Sequence, residues 1–272
     1  MIININTPIE EYWISGRAIF VKRDDKSTNP PAPPLAKLRG VSILLEKLYK
    51  QGIRNIGVVD TMLSKSAWGV AAIVKDLQYD MQVYCFYPKY KSEKELPDNQ
   101  RQSELLGAKI IGLRGQRISI MFYQARKYMN LIEKSYMMPL GLTIIESVIA
   151  ISDEAKRVPE KYLGGDLVVC VGSGMNLAGI IDGIGNKLNR IYGIGNGGHS
   201  LKYQRRNINS FGIKLPENLI QIQPEGIKYY DKIDTSKIPF PTSPYYDAKA
   251  FKWLLEHINC LKEPILFWNI GV

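Results

Sequence analysis

The sequence predicts an α/β fold built on a parallel sheet. Short apolar runs typical of buried strands alternate along the 272 residues with segments of helical periodicity, which is the pattern of right-handed βαβ units. The clearest unit runs from an apolar stretch at 166–171, through the glycine-rich turn 172–174, to a helical pattern over 177–184. The length suits one large domain or two smaller lobes and can bury a full core.

The first half of the chain begins with a strand predicted at 18–23, followed by a stiff, proline-rich segment at 29–34. Lys37 then opens an amphipathic helix whose apolar residues are Leu38, Val41, Leu44, Leu45 and Leu48. The same patterns predict strands at 56–59, 81–86 and 109–113, and helices at 67–77, 99–106 and 119–134.

The second half is predicted to hold helices at 142–155, 177–184 and 247–258, and strands at 166–171, 190–194, 219–222 and 264–268. A glycine-rich turn that begins at residue 195 leads into a basic patch formed by Lys202, Arg205 and Arg206. We expect a large domain formed by 1–45 and 144–272, and a small α/β domain formed by 46–143.

Composition narrows the classes of function. The net charge of +10 favours an anionic partner, although a lysine-rich solvated surface explains the same excess. No apolar run is long enough to cross a bilayer, and residues 1–11 lack the basic region of a signal peptide, so we expect a cytoplasmic protein. Three distant cysteines and only two histidines predict neither a disulfide framework nor a metal site.

The turn after the apolar run 166–171 has the chemistry of a phosphate site. Glycines at positions 172 and 174 let the backbone approach a ligand closely, and Ser173 adds a hydroxyl donor. Backbone N–H groups at the start of a helix favour an anion. The pattern is neither a Walker A motif nor G-x-G-x-x-G, and a tight strand–helix turn without a ligand is the alternative.

Four segments, in this order along the chain, resemble the fold-type II pyridoxal phosphate (PLP) enzymes, which include tryptophan synthase β and 1-aminocyclopropane-1-carboxylate (ACC) deaminase. They are 21–25 with 34–39, 60–71, 172–179, and 244–250 with 264–271. The resemblance implies a parallel-sheet large domain with a smaller α/β lobe, PLP as cofactor, and a homodimer.

The resemblance also assigns roles to residues at the matching positions. Lys37 would bind the cofactor covalently, and Lys22 and Lys26 are the nearby alternatives. Asp247 would face the ring nitrogen of the cofactor, unless it only caps the helix that it begins, and Tyr246 would contact the ring or donate a proton. The cofactor phosphate would be held by Gly172, Ser173, Gly174, Met175 and Asn176.

The loop before the helix at 67–77 is the predicted substrate site. Its hydroxyls and helix-start N–H groups suit a carboxylate or a phosphate, and simple capping of the helix is the alternative. The residues concerned are Thr61, Ser64, Lys65 and Ser66. His199 is a further candidate acid or base.

A narrower group of short, bacteriophage-encoded PLP enzymes of thymine hypermodification resembles this chain most closely. The shared stretches are the Ser64-x-Ser66-x-Trp68-Gly69 loop, the Val-Gly-Ser-Gly loop from residue 171 and the Leu-Phe-Trp-Asn stretch from residue 266. This implies a lyase, with decarboxylation favoured, that acts at the α-carbon of an amino acid attached to thymine in DNA. A deaminase or lyase of a free amino acid, and a non-catalytic nucleic-acid-binding module, are the alternatives.

Overall fold

The computed structural model describes residues 2–89, 96–114 and 117–271, which form two compact units. The first unit comprises the described parts of Met1–Ile3, Thr28–Pro33 and Leu38–Glu146. The second comprises Asn4–Ser27, Pro34–Lys37 and the described part of Ser147–Val272. The domain boundaries predicted from the sequence stay a prediction.

Strands and helices alternate along most of the described chain. The strands are β1 Ile9–Ile14, β2 Arg17–Arg23, β3 Asn55–Val59, β4 Gln82–Pro88, β5 Lys109–Leu113, β6 Ser135–Met137, β7 Asp166–Val171, β8 Arg190–Gly195, β9 Leu219–Ile222 and β10 Ile265–Asn269. The α-helices are α1 Leu38–Lys50, α2 Ser66–Asp76, α3 Asp98–Leu105, α4 Ile118–Met129, α5 Ile145–Lys156, α6 Met175–Ile184, α7 Leu201–Asn209 and α8 Asp247–His257.

Each unit is built on its own sheet. The first unit has a four-stranded sheet in the order β5-β4-β3-β6, and all of its pairs are parallel. The second unit has a six-stranded sheet in the order β1-β2-β10-β7-β8-β9, in which only β1 runs antiparallel to its neighbour. The predicted α/β fold with parallel sheet is therefore confirmed.

Strand β1 was not predicted from the sequence. It is antiparallel to β2, whereas the sequence patterns predicted a parallel sheet. Its sequence, IEEYWI, places two acidic residues side by side and so breaks the strict alternation of a half-buried strand. It pairs with β2 through the two-residue turn Ser15–Gly16, where both residues have positive φ, 51° and 77°. Such a turn suits the twist of an antiparallel hairpin.

The helix predicted at 119–134 was too long. Helix α4 ends at Met129, whose carbonyl accepts a hydrogen bond of 2.7 Å from Ser135 Oγ. Residues Ser135–Met137 then form β6, which pairs in parallel with β3. No proline or glycine marks this boundary, and the turn after Met129 contains Lys134 with a φ of 51° before the chain pairs with β3.

The six residues of β7 are all buried, and they form the centre of the second unit. Leu167, Val169 and Val171 pack in one apolar cluster together with residues of α5 and α6. Val168 and Cys170 face the opposite side of the sheet, in a cluster with residues of α8. Covering both faces of a parallel sheet in this way explains the continuous apolar run of the sequence.

A buried ion pair fixes the start of the second unit. Lys22 Nζ and Glu154 Oε1 are 2.5 Å apart, with side chains 2% and 0% exposed. Glu154 also accepts hydrogen bonds from the backbone N–H groups of Asn6 and Thr7. Strand β2, helix α5 and the segment before β1 are therefore tied together by a single carboxylate.

No helix among the described residues is long and apolar enough to cross a membrane. The cytoplasmic location and the homodimer stay predictions.

Replacing Glu154 by alanine should lower the free energy of unfolding by about 3–5 kcal/mol, because the ammonium of Lys22 would stay buried without its partner. Urea unfolding followed by circular dichroism measures this loss. Glu160, which pairs with Lys187 on the surface, is the matched control, and E160A should cost no more than about 1 kcal/mol. Equal losses in the two variants would contradict the role given to the buried pair.

Candidate functional site

Four neighbouring strands of the six-stranded sheet, β2, β10, β7 and β8, run parallel, so their carboxyl ends meet at one edge. Ligands of open α/β sheets bind at that edge. The glycine turn follows β7, the segment with His199 follows β8, and Gly271 follows β10. The predicted cofactor residues lie in the second unit and gather at this edge.

The glycine turn is shaped by its backbone and held by helix α7. Gly174 has φ of 91°, which favours glycine, and a Cβ there would lie 3.1 Å from the carbonyl oxygen of Gln204. Asn207 Nδ2 donates a 2.6 Å hydrogen bond to the carbonyl of Ser173. Asn176 Oδ1 is buried and has no hydrogen-bond partner in the described chain. The close approach at Gly174 and the hydrogen bond from Asn207 therefore fix the shape of the turn.

Lys37 is the lysine that the structure brings to this turn. Its Nζ donates to Ser173 Oγ at 3.3 Å, and its carbonyl accepts a 2.9 Å hydrogen bond from Ser147 Oγ of α5. Burial lowers the pKa of the Lys37 amine to about 8. The alternatives are engaged elsewhere, since Lys22 pairs with Glu154 and Lys26 with Glu10.

Asp247 is a buried carboxylate with one unsatisfied oxygen. It is the first residue of α8, and the N-cap residue Tyr246 makes no side-chain capping hydrogen bond. Oδ2 accepts a 3.2 Å hydrogen bond from the N–H of Gly271, and Oδ1 has no partner among the described residues. Burial raises the pKa of Asp247 to about 7, the N–H groups of Ile270 and Gly271 lower it, and Asp25 adds to the increase.

Tyr246 lies beside Asp247 and has a partner that the sequence analysis missed. The hydroxyl oxygens of Tyr246 and Tyr229 are 2.5 Å apart. The backbone of Tyr229 is held in turn by the buried Lys249, whose Nζ donates to the carbonyls of Asn196, Lys228 and Tyr229. Tyr229 lies in an irregular segment between β9 and α8, so no periodicity pointed to it.

The predicted substrate residues form their own cluster in the first unit, at the start of α2. Asp60 organises the loop, because its carboxylate accepts hydrogen bonds from the N–H groups of Thr61 and Ala67 at 3.0 and 2.7 Å. Ser64 Oγ and Ser66 Oγ are 3.1 Å apart, and Lys65 occupies the N-cap position without a capping hydrogen bond from its side chain. Burial raises the pKa of Asp60 to about 6, against the effect of its hydrogen bonds to Ser64 and the loop backbone.

His199 lies in the segment between β8 and α7. Its ring stacks on that of Tyr203, with centroids 4.4 Å apart and an angle of 18° between the planes. Partial burial and, to a smaller extent, the charge of Lys37 lower the pKa of His199. The imidazole is therefore largely neutral at pH 7.

These residues fit pyridoxal phosphate by the chemistry they offer. The turn 172–176 supplies hydroxyl and amide groups at a helix N-terminus for a phosphate, and Lys37 supplies an amine of lowered pKa for an aldehyde. The unsatisfied Oδ1 of Asp247 can accept a hydrogen bond from a protonated ring nitrogen. The amine of Lys37 and the carboxylate of Asp247 lose contact with water on burial. Such a ligand would compensate for that loss.

The pKa of Asp247 predicts a pH-dependent stability of the cofactor-free protein. The folded chain keeps a proton on Asp247 up to about pH 7, whereas the ordinary value is 3.8. Between these values the folded state binds more protons, so the free energy of unfolding decreases as pH rises. The D247N variant has no carboxyl group to titrate here, so its stability should not fall in this way. The difference in melting temperature, D247N minus parent, should therefore increase from pH 4 to pH 7 and then level off. D153N, at an exposed carboxylate, is the control, and a pH-independent difference for D247N would contradict the assignment.

Comparison with known proteins identifies the family. No protein-family model matches the chain. A glycyl-dTMP PLP-dependent decarboxylase of Pseudomonas phage M6 is 32% identical over 284 aligned positions, which cover 100% of both chains. This relative confirms the resemblance to phage-encoded PLP enzymes that the sequence predicts.

Solved structures of low identity show the same fold. An ACC deaminase homologue is 20% identical with a TM-score of 0.83, covering 100% of this chain and 90% of its own. An O-acetylserine dependent cystathionine β-synthase from Helicobacter pylori is 18% identical with a TM-score of 0.66, covering 98% and 92%. The predicted fold-type II architecture is confirmed. With full-length identity above 30% to the phage protein, the chain belongs to the family of PLP-dependent enzymes that contains this decarboxylase.

Proposed function

We propose that this chain is a PLP-dependent decarboxylase that acts at the α-carbon of an amino acid attached to thymidylate in DNA. One observation carries the proposal: Lys37, the turn 172–176 and the carboxylate of Asp247 gather at one edge of the second unit's sheet. The name of the 32% identical phage relative, a decarboxylase of glycyl-dTMP, supports the substrate.

Lys37 would hold the aldehyde carbon of the cofactor, the turn 172–176 its phosphate, and Asp247 its ring nitrogen. Pyridoxal phosphate, when bound, supplies an electron-withdrawing ring that stabilises negative charge at the α-carbon of the substrate. An acidic residue at the ring nitrogen keeps that nitrogen protonated. This supports chemistry at the α-carbon in preference to chemistry at the β-carbon.

The residues of this chain account for the proton that the reaction needs. Decarboxylation breaks the bond between the α-carbon and the carboxylate carbon, releases CO₂, and adds one proton to the α-carbon. With a pKa of about 8, Lys37 holds a proton on most molecules at pH 7 and can release it. Tyr246 and Tyr229 share a hydrogen bond, so one hydroxyl proton lies between them and makes Tyr246 the second candidate donor.

The loop at the start of α2 would bind an anionic group of the substrate. Ser64 and Ser66 offer hydroxyls, Thr61 another, and Lys65 a positive charge. A fixed positive charge on a carboxylate that must leave as neutral CO₂ stabilises the ground state more than the transition state. A phosphate of the nucleotide is therefore the better partner for Lys65.

Lys37→Met should abolish covalent cofactor binding and reduce decarboxylation by about a thousandfold or more, because amine attachment and proton transfer are both lost. Borohydride reduction followed by peptide mapping identifies the modified lysine, and nucleoside mass spectrometry measures loss of CO₂ from a thymidine oligonucleotide that carries a glycyl group. K26M, at an exposed lysine, is the control and should behave as the parent. An adduct on another lysine would overturn the site, and ammonia release without CO₂ would overturn the reaction.

The lowered pKa of Lys37 predicts the pH dependence of cofactor capture. Only the neutral amine attacks an aldehyde, so the rate should rise with pH and reach half of its maximum near pH 8 instead of near 10.5. Stopped-flow absorbance after addition of pyridoxal phosphate to the cofactor-free protein measures this rate. A midpoint above pH 10 would show that the amine is solvated and not buried as the structure has it.

A further inference from the structure

We propose that the exposed face of α7, formed by Lys202, Arg205 and Arg206 with the His199–Tyr203 stack, binds the sugar-phosphate backbone and a neighbouring base of the DNA strand that carries the substrate. This inference rests on the proposed function and names the surface by which that substrate is held. It concerns residues of the second unit only.

Helix α7 has two distinct faces. Gln204 and Ile208 are buried, and Gln204 Nε2 donates a 3.1 Å hydrogen bond to the carbonyl of Val171 at the end of β7. Lys202, Arg205 and Arg206 are exposed. The spacing of three and four residues places these three cations on one side of the helix. A helix that supports the glycine turn from its inner side thus presents a positive surface on its outer side.

No carboxylate of the described chain forms an ion pair with the cations of α7. Residues 199–210, which contain the helix, include no aspartate or glutamate. Among the described residues, none of the ion pairs involves Lys202, Arg205 or Arg206. Arg205 Nε donates to the neutral Gln221 at 2.7 Å, which positions the guanidinium without cancelling its charge. Such unpaired charges attract phosphates.

An aromatic column, formed by the rings of His199 and Tyr203, adjoins the cations of α7. The ring of His199 stacks on Tyr203, and the guanidinium of Arg206 lies 5.6 Å from the Tyr203 ring centroid. Stacking surfaces beside a positive surface are the two components of single-strand binding, and a target base has to leave the duplex to reach the cofactor.

The test is binding of a fluorescein-labelled thymidine 12-mer by the cofactor-loaded protein, followed by anisotropy over a range of NaCl concentrations. K202Q/R205Q/R206Q removes three cations, so the slope of log K against log salt should fall by about 2. K161Q/K252Q/K262Q removes the same charge from exposed lysines elsewhere in the second unit and should change the slope by less than about 0.5. Equal effects of the two triple variants would overturn the proposal.

Tyr203→Leu separates stacking from charge. It should weaken binding about tenfold with an unchanged salt slope, because a base platform is lost and no cation is. A parent-like affinity would remove the aromatic column from the proposal.

Competition with dTMP distinguishes a strand from a free nucleotide. If dTMP competes as well as the unlabelled 12-mer, the surface binds single phosphates. That result would rule out a DNA strand as the partner of this surface. Cofactor absorbance is recorded for every variant. A protein that takes up no pyridoxal phosphate contradicts the proposed function. A fully loaded protein that does not bind DNA contradicts only the role of this surface.

Discussion

The carboxylate of Asp247 is buried at the carboxyl edge of the six-stranded sheet, and its surroundings have to compensate for its removal from water. The N–H of Gly271 satisfies Oδ2, while Oδ1 has no partner in the described chain. Nearby Asp25 would add a second negative charge, but Arg23 holds it through two hydrogen bonds of 2.9 and 2.7 Å. One hydrogen-bond acceptor thus has no partner among the described residues, and a protonated ring nitrogen would match it in charge.

Burial shifts the pKa values of the two ionisable groups that we propose to bind the cofactor. Burial raises the pKa of Asp247 to about 7 and lowers that of Lys37 to about 8, so each group moves towards its neutral form. The amine becomes reactive at physiological pH, and the carboxylate regains its full charge when a cation binds beside it. The strand order brings these distant parts of the chain together, because β2, β10, β7 and β8 end at one edge of the sheet.

The second unit was largely predictable where local chemistry and fold agree. The apolar run of β7 has to be buried on both faces, and a glycine turn at its end leaves little choice of conformation, so 166–184 could be predicted from sequence. Strand β1 and strand β6 could not, because their identity depends on pairing partners that are remote or weakly patterned. Tyr229 is the clearest omission at the site, since its position is set by the buried amine of Lys249 and not by any periodic segment.

The sequence gives a net charge of +10, but only the structure shows which of the cations are paired and which face solvent. Many cations of the second unit are engaged: Lys22 is buried with Glu154, Lys26 meets Glu10, and Lys187 meets Glu160. On α7 the cations face solvent beside the turn that Asn207 holds. A charged helix that also supports the turn proposed to hold the cofactor phosphate would position a polyanion beside the proposed cofactor site. In the proposed function, substrate capture and cofactor binding then share one structural element.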